Sequence, residues 1–232
     1  MSRFRWFKSK LAQIRADLPR YGLYEIWVRF CLNRVRFFLR VYEVASRPIP
    51  NDEPSEASRI QSVTRRLSDD EVRALVKEMP KHYTQAFVDD ALARGDICLG
   101  AFMQANHDSD EEKLVAFTWR SYSTAPDVDG MWVRVRHHYR YGYKAFTLPE
   151  YRGLRVINAS ASDEYDLSLG KTATIAYVER NNLASLRQRR RKGRPVLGYI
   201  IILKLFGRRH IWHSRRVREA GFELYESPTD MY

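Results

Sequence analysis

YGYKAFTLPEYRGLRV (141–156) carries an aromatic, β-rich run into Pro149 and then into an Arg-Gly pair. Tyr141, Tyr143, Phe146 and Thr147 favour a strand, and Pro149, which has no N–H to give a ladder, ends it. A strand that feeds a tight turn into a helix N-terminus presents backbone N–H groups to an anion, and an Arg such as Arg152 adds charge-assisted bonds to phosphate. The same Pro-Glu-Tyr-Arg-Gly sequence also reads simply as a turn.

Downstream, a mixed apolar and polar segment from about Arg155 to Leu169 predicts a helix, Lys171 to Val178 (KTATIAYV) a strand, and Asn182 to Arg191 a helix without acidic residues. PVLGYIIILKLF supplies a β-rich pair near the end. Upstream, DICLGAFMQ (96–104) and KLVAFTWRSYS (113–123) flank the polar NHDSDEE and predict a hairpin, with MWVRVRHHY as a further strand. Ser68 precedes Asp69, Asp70 and Glu71, the pattern of a capped helix with acids at its positive end, and a second helix from Thr84 to Arg94 stops at Gly95. This order of helices and strands is mixed α/β (α+β), one central sheet with helices on its faces.

Residues 1–47 stand apart as a basic amphipathic helical extension. From Tyr21 to Val44, Leu23, Ile26, Trp27, Phe30, Cys31, Val35, Phe38, Leu39 and Tyr42 recur at spacings of three and four with arginines between them. A helix packed on the main domain and a helix lying on an anionic membrane surface both fit that pattern. SRPIPNDEPSEAS follows, and residues 48–60 read as a linker ahead of a domain over 61–232.

The net charge of +12 is unevenly placed. Met1 to Pro48 holds 11 Lys/Arg against 3 Asp/Glu, Leu186 to Arg218 holds 12 against none, and the remainder is therefore −8. Such basic regions attract phosphate-bearing partners, whether coenzyme, lipid or nucleic acid. Nucleic acid fits least, because RQRRRKGR (187–194) has no interleaved aromatic on which bases would stack. Cys31 and Cys98 lack a CxxC or Cys/His spacing and read as reduced, buried thiols, consistent with a cytoplasmic chain. No apolar run approaches the roughly 20 residues needed to span a bilayer. No third ligand accompanies the histidines to make a metal site.

Taken in order, FVDDALARGDICLGAF, KLVAFTWRSYS, YGYKAFTLPEYRGLRV and YVERNNLASLRQRRRKG resemble the GNAT superfamily of acyl-CoA-dependent N-acyltransferases, over about Gln85 to Gly207. The resemblance implies a GNAT-like mixed central sheet with splayed strands flanked by helices. It implies that Thr147 and Leu148 pair with the pantetheine arm and that Arg152, Gly153, Leu154, Arg155, Val156 and Ile157 form the pyrophosphate turn. The family's two small positions in that turn fall on Arg155 and Ile157. Asn182 matches the Asn that contacts acyl-CoA, with Ser185 as its Asn-x-x-Ser partner.

The implied reaction is direct transfer of an acyl group, acetyl or another, from acetyl-CoA or another acyl-CoA to an amine in a ternary complex. Such chemistry needs a base, a polarised thioester carbonyl and an acid for the thiolate. The family's Tyr acid is replaced by Gln188, Arg189 and Arg190, which leaves Ser185 or Tyr177 for that role, with Arg189 as an electrostatic stabiliser. Glu179 and Glu150 are the nearest carboxylates for the base. The acceptor amine, small-molecule, lipid-linked or protein, is not legible, nor is the oligomeric state. A non-catalytic GNAT-like module, membrane-peripheral or partner-binding, is the alternative.

Overall fold

The computed structural model of the chain describes residues 3–49, 62–80, 83–104, 112–127, 130–154, 156–157, 161–191 and 195–226. The linker expected over 48–60 lies outside them except for Pro48 and Ile49, as do the hairpin turn at 105–111, Arg155, and 192–194.

In chain order the elements are α1 (Arg3–Val35), β1 (Leu39–Pro48), β2 (Val63–Arg66), α2 (Asp69–Glu78), α3 (Gln85–Ala93), β3 (Ile97–Gln104) and β4 (Glu112–Ser121). There follow β5 (Thr124–Pro126), β6 (Met131–Val135), β7 (Tyr139–Thr147), α4 (Asp163–Ser168) and β8 (Ala173–Glu179). The chain closes with α5 (Leu183–Arg191), β9 (Val196–Leu205), β10 (Arg208–His213), α6 (Arg215–Glu219) and β11 (Phe222–Glu226). The architecture is mixed α/β, with mostly antiparallel sheet flanked by helices. Among the described residues no helix is long and apolar enough to cross a membrane.

The chain divides into two compact units, Met1–Ala45 with Tyr177–Arg218 and Ser46–Ala176 with Glu219–Tyr232. In the second unit β2, β3, β4 and β7 pair antiparallel in that order, and β8 joins β7 in parallel at Tyr139–Ala173, Arg140–Thr174 and Tyr141–Ile175. A three-stranded sheet, β11-β6-β5, completes it.

Local chemistry explains the helices. Ser68 Oγ accepts from Glu71 N–H and the Glu71 carboxylate accepts from Ser68 N–H (2.8 Å), a capping box that satisfies donors the first turn of α2 would leave orphaned. Thr84 caps α3 through Phe87 N–H, and Gly95 beyond its end takes φ +75°. One sheet face is an aromatic core in which Tyr83, Phe87, Phe117, Trp119 and Tyr143 meet ring against ring. The opposite face of β7 carries a buried polar network. The wholly buried Arg140 bonds Thr174 Oγ1 (2.8 Å), Ser162 Oγ (3.1 Å), Asp163 (2.7 Å) and Asp166, which ties α4 to β7 and β8.

The first unit holds β1, β9 and β10 as an antiparallel ladder, with Leu39 opposite Leu203 and Ile201 opposite both Val41 and Trp212. Here the structure departs from the helical periodicity read over Tyr21 to Val44. The helix ends at Val35, and Leu39 onward is strand because the segment finds β9 as a partner and buries Tyr42, Glu43, Val44 and Ala45 in succession. α1 is also broken at Gly22, whose backbone (φ 77°, ψ 160°) leaves the helical region.

Candidate functional site

The residues picked out by the sequence fall into two groups. Thr147, Leu148, Arg152, Gly153, Leu154, Val156 and Ile157 belong to the second unit, and Tyr177, Glu179, Asn182 and Ser185 to the first. Arg155 lies outside the described residues.

In the second unit, β7 changes direction before it reaches Thr147. Phe117 of β4 pairs with Phe146 and Trp119 with Tyr143, so Thr118 faces both Lys144 and Ala145. This is a β-bulge, and Lys144 sits in it at φ 47° with its amine over the Phe87 ring (4.0 Å). The parallel ladder to β8 has its last registered pair at Tyr141, while β7 continues through Gly142 to Thr147.

Leu148 N–H donates to Val115 O (3.0 Å), and Pro149–Tyr151 forms a single 3-10 turn. Arg152 N–H closes that turn on Pro149 O, its Nε donates to Thr147 O (3.2 Å), and Gly153 supplies φ +79°. Leu148, Tyr151, Leu154 and Ile157 pack on a small core of Ala101, Val115, Ala116 and Val156. The Ile157 side chain, at a position where the resembling family has a small residue, is therefore spent on packing. Val156 O accepts from Ser62 Oγ (2.9 Å).

A helix expected from about Arg155 does not follow directly. Val156 and Ile157 are non-helical, and the next helix, α4, spans only Asp163–Ser168 with Asp163, Glu164 and Asp166 in its first turn. Asp163 and Asp166 face the cation of Arg140, while Glu164 is exposed, so this helix start holds a buried guanidinium.

In the first unit, Asn182 Oδ1 accepts from Ser185 N–H (3.2 Å) and Asn182 O from Leu186 N–H, so Asn182 is the N-cap of α5. The Arg36 guanidinium donates to Glu179 through Nε and Nη2, at 3.0 Å each, and Asn181 Nδ2 donates to it at 3.2 Å. Both of its oxygens are thereby occupied. The Tyr177 ring meets Tyr42 edge-on at 5.1 Å.

The basic run is partly structural. Arg189 is buried and donates to Glu43 O (2.7 Å), Arg190 pairs with Glu25 (2.9 Å), and Arg187 lies 5.7 Å over the Tyr21 ring. The sequence reasoning missed Glu43. It is buried on β1 with Oε2 on Arg180 (3.1 Å), while Oε1 has no partner among the described residues. Its one signal was an acid inside the otherwise apolar VYEVA.

Of the two thiols, Cys98 is buried and its pKa is pushed up to about 12 by that burial, which keeps it protonated and unreactive. Cys31 is half-buried.

No protein-family model matches the chain, and no curated protein matches it. Distant likenesses exist among solved structures. A conserved Staphylococcus epidermidis protein of unknown function is 10% identical over 84% of this chain and 66% of its own, with a TM-score of 0.37. A Drosophila protein is 19% identical over 77% and 58%, at 0.41. An inferred acetyltransferase of the GNAT family from Xanthomonas campestris is 20% identical over 47% and 62%, at 0.24. This chain thus spans less than two thirds of the length of each neighbour.

Proposed function

We propose that the chain is an acyl-CoA-dependent N-acyltransferase of GNAT type that transfers an acyl group directly to an amine. The observation that carries this reading is the end of β7, where a bulge at Lys144–Ala145 follows the last registered pair of the parallel ladder and leads to the Arg152–Gly153 turn. A strand edge freed in this way accepts an extended amide chain by main-chain pairing, as the pantetheine arm would require. Thr147 and Leu148 would make that pairing, and Arg152 would exchange its bond to Thr147 O for the pyrophosphate. Asn182 and Ser185 would contact the acyl-CoA from α5, and Tyr177 or Ser185 would protonate the thiolate. Glu43 joins Glu179 as a candidate base, because one of its oxygens has no partner among the described residues. A cytoplasmic setting, where acyl-CoA is available and thiols stay reduced, belongs to the same reading.

A second reading, a non-catalytic module on this fold, is favoured by Glu179 being locked by Arg36 and by Arg152 being folded back on its own strand. Calorimetric titration with acetyl-CoA separates the two. Saturable micromolar binding, weakened tenfold or more by Arg152→Ala, supports the enzyme. No heat of binding at millimolar coenzyme would sink it in favour of the module.

A further inference from the structure

The two basic blocks of the sequence fall within one of the two units. Met1–Ala45 with Tyr177–Arg218 holds 23 Lys/Arg against 4 Asp/Glu, a net +19, while the remaining 17 against 24 give −7. Each of the four acids of the basic unit is already matched to an arginine: Asp17 to Arg29, Glu25 to Arg180 and Arg190, Glu43 to Arg180, and Glu179 to Arg36.

Within this unit α1 is turned inside out. Its ion pairs through Asp17, Glu25 and Arg29 are half-buried, whereas Leu23 (73% exposed), Tyr24 (71%), Trp27 (63%) and Phe30 face solvent. Trp27 stacks on Phe30, and the Arg34 guanidinium lies 5.1 Å over the same ring. The apolar face runs on into the turn after α1, where Phe37 is 88% exposed and Phe38 is exposed as well.

A second tip reaches the same end of the ladder. Lys204 N–H donates to Phe38 O (2.7 Å), so the β9–β10 hairpin begins its turn beside Phe38. In that turn Phe206 and Gly207 both take positive φ, 50° and 79°, a pattern that suits Asn-Gly and disfavours a bulky side chain. Phe206 is nonetheless present and wholly exposed, next to the exposed Leu205. Lys204 and Arg208 flank it, and Arg34 and Arg36 flank the other tip.

We propose that these two tips and the outer face of α1 form a docking surface for an anionic lipid bilayer. Phe37, Phe38, Leu205 and Phe206 would enter the boundary between headgroups and acyl chains, with Trp27 at the interface and the flanking cations on lipid phosphates. Leu23 and Leu205 have no π face to stack on a base, whereas hydrocarbon takes up the exposed Leu and Phe alike. The proposal does not depend on acyltransferase activity.

The test is co-sedimentation of the full chain with phosphatidylcholine vesicles that contain about 30% phosphatidylglycerol, at physiological salt. Binding to these vesicles, with at least tenfold weaker binding to pure phosphatidylcholine, is expected. Phe37→Ser with Phe206→Ser should lower partitioning at least tenfold. Lys204→Glu with Arg208→Glu should abolish the anionic preference. Leu167→Ser with Leu169→Ser, exposed apolar positions of the other unit, should leave it unchanged. All these positions are exposed, and an unchanged circular dichroism spectrum checks the fold of each variant.

Undiminished binding by the double Phe variant would overturn the proposal. So would absence of vesicle binding accompanied by salt-dependent binding of single-stranded RNA. A dimer in sedimentation velocity that the Phe substitutions dissolve, again without vesicle binding, would equally reject it and assign the surface to a second copy of the chain.

Discussion

Glu43 and Glu179 lie in the same unit, and their surroundings set them apart. Glu179 spends both oxygens on Arg36, 143 positions away in sequence, while Glu43 is buried with one oxygen on Arg180 and the other without a partner among the described residues. Under the acyltransferase reading, Glu43→Gln should lower kcat by about 10²-fold or more while the Kd for acetyl-CoA stays the same. If Glu43 only anchors Arg180, the variant should instead lose thermal stability and keep its kcat, and steady-state kinetics beside calorimetry distinguish the two. The turn residues Arg152 and Gly153 could be found in sequence because a strand, a proline and an Arg-Gly pair are contiguous. Glu43 could not, because what makes it notable is burial beside Arg180 and Arg189, contacts that span 137 and 146 positions.

Elements with their own local signals were legible: α2 and α3 start after the caps Ser68 and Thr84, and α3 gives way before Gly95. β1 was hidden, since apolar residues at spacings of three and four continue from Trp27 through Tyr42 and only the presence of β9 decides for strand. The helix expected over 155–169 contracts to Asp163–Ser168, because the residues before it are drawn into the core around Val115 and Val156. The capping of α2 yields a pH prediction. Arg65, bonded to both Glu71 oxygens, and the Ser68 N–H together hold the Glu71 carboxyl down at about 2 from its ordinary 4.5. A depressed carboxyl stabilises the fold above its unfolded value and loses that contribution as pH falls toward the folded one. Glu71→Gln should therefore lower Tm at pH 7 and have no effect near pH 2, with Ser68→Ala costing about 1 kcal/mol at neutral pH in urea titrations. An equal Tm loss from Glu71→Gln at both pH values would contradict this account.

At the scale of the whole molecule, a unit of net +19 repels itself, and its four acids cannot offset that. Raising salt from about 0.05 to 0.5 M shortens the Debye length from roughly 14 to 4 Å, so the melting temperature should climb across that range in scanning calorimetry. A fall would mean that the ion pairs of Glu25, Glu43 and Glu179 outweigh the repulsion. The sequence displayed the two basic blocks but not that they share one unit, which follows from the pairing of β1 with β9. That pairing also has a consequence in time. Leu39 and Leu203 are about 160 residues apart, so on a ribosome the first strand waits roughly 8 to 30 s for its partner. Throughout that interval Tyr42 and Val44, buried in the folded chain, have no partner strand. The delay leaves time for chaperones or a nearby bilayer to engage the segment before translation has produced β9.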